Sequence, residues 1–166
     1  TTPEARRLRE AIASIPAKNF SSYRFDSSTS LIERVTEAPD MVLQYLREAD
    51  QTEIYSPYSP TELEIKQIQE NLDLLPPAYE KVLSARLIGI YFIRNLIGSG
   101  IADYVLDADD TVYAILILNP EVLTHNISDW LSYREGTAFA NDADADKGIK
   151  VQIDCGTAYT GFTYVL

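Results

Sequence analysis

Apolar residues recur at helical spacing through the first half of the chain. In "TTPEARRLREAIASI", Leu8, Ile12 and Ile15 follow a proline suited to a first helical turn. "SLIERVTEA" and "PDMVLQYLREAD" repeat the amphipathic pattern on either side of Pro39, and both are expected to be helical. In "SPTELEIKQIQENLDLLPP", Ser59 is the expected cap and Pro60 the expected first helical residue. Leu63, Ile65, Ile68 and Leu72 then recur until Pro76-Pro77 ends the run. A further helix is expected near Ala78 to Ala85. The pattern then changes to short runs rich in Ile, Val and Tyr, separated by "GSG" and "DADD". Leu87 to Ile93, Val112 to Leu118 and Lys150 to Asp154 are expected to be strands of one sheet; in the last, Val151, Ile153 and Cys155 alternate with polar residues.

Helices first and strands later predict an α+β fold, N-terminal helices followed by a small, mainly antiparallel sheet, rather than a repeating βαβ chain. We divide the chain into an N-terminal helical arm or subdomain over 1–58 and an α+β domain over 59–166. The tail "TAYTGFTYVL" places Tyr159, Phe162, Val165 and Leu166 on one helical face, expected to pack on the sheet. It stops without a terminating Gly, Asn or basic residue, so the α+β unit is expected to be incomplete at its C-terminus. Thr1 in place of Met suggests a removed leading segment, with export by a cleaved signal as one form; the compartment is left open.

Composition narrows the function classes. A formal net charge of −11, with basic residues dense only in "EARRLRE", argues against binding nucleic acid or anionic lipid. The apolar runs "LIGIYFI" and "VYAILIL" are far shorter than the roughly 20 residues of a membrane span. The lone Cys155 cannot form an internal disulfide.

Little in the chain has the pattern of a catalytic centre. His125 and Cys155 are the only strong nitrogen and sulfur metal ligands, too few for a zinc site. As a base and nucleophile pair they are also weak candidates, with Cys155 on the apolar side of an expected strand and His125 in a loop. "NDADADKG" spaces Asp142, Asp144 and Asp146 like a calcium loop, but Gly148 arrives one residue late and Ile153 occupies the twelfth position, so it reads as a solvated acidic loop. "DADD" reads as a hairpin turn. "NFS" and "NIS" match the glycosylation pattern at Asn19 and Asn126, which matters only in a secretory pathway. "DWLSYREGTAF" gathers Trp130, Tyr133, Arg134, Glu135 and Phe139; of these Trp130, Tyr133, Arg134 and Glu135 form the candidate binding surface, weighed against a local packing cluster. No catalytic, cofactor-binding or metal-ligating residue is nominated.

The succession "LPPAYEKVLSARLIGIYFIRNLIGSGIADYVLDADDTVYAILILNPEVL", then "WLSYREGTAF", then a strand and "FTYVL", resembles the region preceding the active-site helix in uncharacterised bacterial proteins of the zincin metallopeptidase type. The resemblance covers roughly residues 73–166. It implies a zincin-like domain continuing into His-Glu-x-x-His, in which two His one helical turn apart bind zinc and Glu is the general base. It assigns no ligand or catalytic residue within this sequence, and the 166 residues alone are expected to hold no zinc and cleave no peptide. Peptide or protein would be the partner. The alternative reading is a non-catalytic protein-interaction or binding domain; a small carboxylate hydrolase is a third, with no pair of acids singled out.

Overall fold

The computed structural model describes residues 2–126 and 128–132. "LIGIYFIR" forms β3 (Leu87–Arg94), and its continuous apolar character reflects burial on both faces. Around it run β1 (Val35–Glu37), β2 (Ser56–Tyr58), β4 (Gly100–Leu106) and β5 (Val112–Leu118). The order is β1-β3-β5-β4, with β2 also paired to β3. Among the described residues the longer helices that accompany them are α1 (Pro3–Ala13), α2 (Asp40–Asp50), α3 (Glu62–Leu72) and α4 (Pro77–Arg86). The fold is α+β, and strands from both sides of residue 58 lie in one sheet.

Pairing is mixed where mainly antiparallel pairing was expected. β1 and β5 lie parallel to β3, while β2 on β3 and β4 on β5 are antiparallel. The chain leaves β3, passes to the outer edge as β4, and turns back through a tight hairpin into the place between β4 and β3. There Asp107 N–H donates to Thr111 O and Asp110 takes a left-handed φ of 68°. β5 therefore runs the same way as β3, an outcome set by where the return strand inserts rather than by either strand's composition.

Register divides the core. A bulge between Leu87 and Gly89 sends Ile88, Tyr91 and Ile93 to one face and Leu87, Ile90 and Phe92 to the other. On the first face Val105, Ile115 and Ile117 join them beneath Val42, Leu43 and Leu46 of α2, with Ala17 and Tyr55. The second face packs against Leu31, Val35 and Ile68, flanked by Leu83 and by Leu116 and Leu118 of β5.

The expected strands Leu87 to Ile93 and Val112 to Leu118 are present, as are helices over the α1, α2, α3 and α4 regions. "SLIERVTEA" is not a helix: Ile32–Arg34 makes a single 3-10 turn, and Val35 then pairs with Ile90 as β1, which buries a β-branched side chain against the second core. Nor is Ser59 the cap of α3. Thr61 caps it, accepting from Glu64 N–H while the Glu64 carboxylate accepts from Thr61 N–H at 2.7 Å, a reciprocal box that fixes the start at Glu62. β4 was not among the expected strands. Lys150 to Asp154 and the tail lie outside the described residues.

Candidate functional site

Of the candidate binding surface, Trp130 lies half-buried in a short helical turn over 128–132. Asn126 starts that turn, accepting from Asp129 N–H at 2.9 Å and donating to the Asp129 carboxylate at 2.6 Å. Tyr133, Arg134, Glu135 and Phe139 lie outside the described residues, as do Cys155 and the Asp142, Asp144 and Asp146 loop. His125 sits at the end of a 3-10 turn over Pro120–Leu123, its Nδ1 3.0 Å from Glu121 O and 3.2 Å from the Glu121 carboxylate. Among the described residues no group of three or more His, Cys, Asp or Glu is placed to hold a metal, and no helix is long and apolar enough to cross a membrane. Asp107 to Asp110 make the β4–β5 turn: Asp109 is held below the usual carboxylate range by the hydroxyl and N–H of Thr111.

The sheet itself presents the first feature able to bind. β4 is an edge strand, and among the described residues its outer side is met only by an isolated parallel bridge between Asn19 and Leu106. Gly100 opens the strand where a Cβ would stand 2.6 Å from Ile117 O, so only glycine lets β4 close on β5 there. At the middle of the strand Lys18, 5% exposed, forms an ion pair with Asp103 and lies 4.2 Å from the Tyr104 ring centre. The pair tethers the segment Pro16–Lys18 to β4, and such a buried charge is tolerated because its partner is within reach. Along the strand burial alternates: Ile101 and Asp103 are half-buried while Ala102 and Tyr104 are exposed. No protein family, curated protein or solved structure matches this chain.

A second feature lies beneath the loop that precedes β1. A cavity of about 380 Å³ opens between that loop, the start of α2 and β3, with Tyr23, Phe25, Arg34, Met41, Ile88 and Tyr91 among its walls. Arg34 is 5% exposed, and its guanidinium donates to Leu87 O at 2.6 Å, Thr29 O at 2.7 Å, and Leu83 O and Ser27 O at 3.3 Å. Its Nε is buried without an acceptor. Tyr91 is equally buried, and the end of its ring lies over Gly89, where a Cβ would fall 2.4 Å from the hydroxyl. Burial alone pushes the Tyr91 phenol up to about 12, and the hydroxyl has no hydrogen-bond partner among the described residues. The Tyr23 phenol is raised still further, by burial first and then by Tyr91 and Asp103, while its hydroxyl donates to Ala17 O at 2.6 Å.

Neither feature was nominated from the sequence. The edge was missed because Asp103 interrupts the apolar alternation of "IADYVL". The cavity was missed because its walls come from three separate segments. The one local sign was Gly89, an unusual residue inside an otherwise bulky apolar run.

Proposed function

We propose that these residues form the N-terminal portion of a zinc-dependent metallopeptidase, and that β4 is the strand along which a peptide substrate is laid. The observation that supports this reading is the outer edge of β4, which among the described residues carries only the Asn19–Leu106 bridge. An extended peptide can add to such an edge through main-chain hydrogen bonds, which hold it straight whatever its side chains, while alternate side chains face the two sides of the sheet. Gly100 sets the start of the strand against β5 and the Lys18–Asp103 pair holds its middle to the segment Pro16–Lys18. The described residues do not fit a zinc site; the metal's ligands and the general base would come from outside this sequence, and we route no chemical step through them.

A second reading, a protein-interaction domain, draws on the outward side of α4 and the turn before it, where Leu74, Tyr79 and Val82 are 58%, 65% and 61% exposed. The gene sequence beyond the codon for Leu166 separates the two. His-Glu-x-x-His there, with about one zinc bound per chain in the full-length product, is the expected result. A gene without the motif would overturn the peptidase reading and leave the interaction domain.

A further inference from the structure

The two ends of the β4 edge differ in what they offer a peptide. Narrow rungs with β5 fall on the odd-numbered residues: Asn119 N–H donates to Ser99 O and Asp107 N–H to Thr111 O, each at 3.0 Å, in the register that pairs Gly100 with Leu118 and Leu106 with Val112. In an antiparallel ladder the residues between such rungs turn their N–H and C=O to the other side. Gly100, Ala102, Tyr104 and Leu106 therefore face outward. Leu106 is met by Asn19 in the parallel bridge, and Pro16–Lys18, just before Asn19, closes that end. The Tyr104 N–H is also spent, on Asp103 Oδ1 at 2.9 Å, so Tyr104 has only its C=O left to give. Lys18 Nζ uses the same Oδ1; the other Asp103 oxygen has no donor among the described residues, on a side chain 15% exposed. Gly100 and Ala102 thus offer both donor and acceptor, and the closed end offers acceptors alone.

We propose that this edge receives the free amino terminus of a peptide, laid antiparallel to β4 with its first residue beside Tyr104. This rests on the reading of β4 as the strand that lays out a peptide, and adds which part of the peptide it holds. An ammonium group has three N–H donors and no acceptor, which matches the Tyr104 C=O and the open Asp103 oxygen. The middle of a chain fits worse. Its residue beside Tyr104 brings a carbonyl that the spent N–H does not answer, and its continuation runs into Pro16–Lys18. A parallel peptide would bring its carboxylate to the acceptor-only end, and Lys18 is no counter-charge for it, with a side chain 6% exposed and already on Asp103. The net charge of −11 also favours a cationic chain end. From Tyr104 back to Gly100 the edge spans about five residues at roughly 3.4 Å each.

Pentaalanine amide is a suitable probe, and N-acetyl-pentaalanine amide, which lacks the ammonium, its control. Added to the 166-residue protein, the free peptide should shift the amide NMR signals of Gly100 and Ala102. The acetylated peptide should bind on the order of tenfold more weakly, since a hydrogen bond to a charged group is lost. Ala102→Pro removes an outward N–H without touching the rungs to β5, so the protein should keep its fold and lose the response. Equal affinity for the two peptides, no response at tens of millimolar, or an undiminished response in Ala102→Pro would each overturn the proposal. So would slow exchange of the Ala102 amide before any peptide is added, which would show a second copy or residues 133–166 of this chain already on the edge. The two readings fail separately. A gene without His-Glu-x-x-His strikes the peptidase and leaves this binding in place, whereas equal binding of the two peptides strikes the amino-terminal site and leaves the peptidase.

Discussion

Asn119, fully buried at the end of β5, ties three pieces of backbone together. Its amide donates to Leu96 O at 2.9 Å and Gly98 O at 3.3 Å, and its side-chain oxygen accepts from Glu121 N–H at 3.0 Å, starting the 3-10 turn that leads to His125. Asn119→Ala would leave a buried carbonyl unsatisfied and remove a cap together, so urea denaturation should show a loss of about 2–3 kcal/mol. Some roles at this scale were legible and others were not. Thr61 and Glu64 stand three apart before an apolar periodic run, which is the capping-box pattern, and Ser59 was preferred only because Pro60 also suits a first helical position. Lys18 and Arg34 are different. Each is a charged residue in ordinary polar surroundings in sequence, and each is buried because its partners lie elsewhere: Asp103 for one, backbone carbonyls of Thr29, Leu83 and Leu87 for the other. No local pattern announces such a partner.

Among the elements, β3 and β5 were legible because strands buried on one or both faces need uninterrupted apolar runs. β1 was not, since three residues cannot establish a period and Val35 also suits the helical spacing before it. Parallel or antiparallel pairing was not legible either, because it depends on which gap in the sheet the returning strand enters. β4 is the element on which the functional reading depends, and Gly100 controls how it begins. Gly100→Ala would drive a methyl into Ile117 O and Leu118. We expect a loss of about 1–3 kcal/mol, in the range of overpacked sites, with faster amide exchange at β4 and β5 while α3 stays protected. Unchanged exchange at β4 would show that the strand start tolerates a side chain.

The whole molecule carries a charge of −11, yet several of its carboxylates are held ionised by local donors. Burial pushes Glu64 up, but the Thr61 N–H, the Tyr58 hydroxyl, the Thr61 hydroxyl and Arg94 outweigh it, and its value falls below the usual one. Asp26 is lowered by the N–H and hydroxyl of Ser28, and Glu33 by the hydroxyl and N–H of Ser30. Each group thus binds its proton less readily when folded than when unfolded. Their stabilisation is complete above the ordinary carboxyl values of 3.8 and 4.5 and is lost as pH falls through the depressed ones. The urea midpoint should therefore drop between about pH 6 and about pH 3, and drop less steeply in Glu64→Gln, which removes one titrating group. At this scale the α+β class was legible from the order of helical and strand-like patterns, whereas the β4 edge and the cavity emerge only when distant segments meet. The central claim is that β4 presents peptides to a zinc centre, and the most direct measurement is hydrolysis of an unfolded protein such as casein by the full-length gene product, with and without a zinc chelator. The account predicts cleavage that the chelator abolishes and added zinc restores; no cleavage, or cleavage indifferent to the chelator, would contradict it.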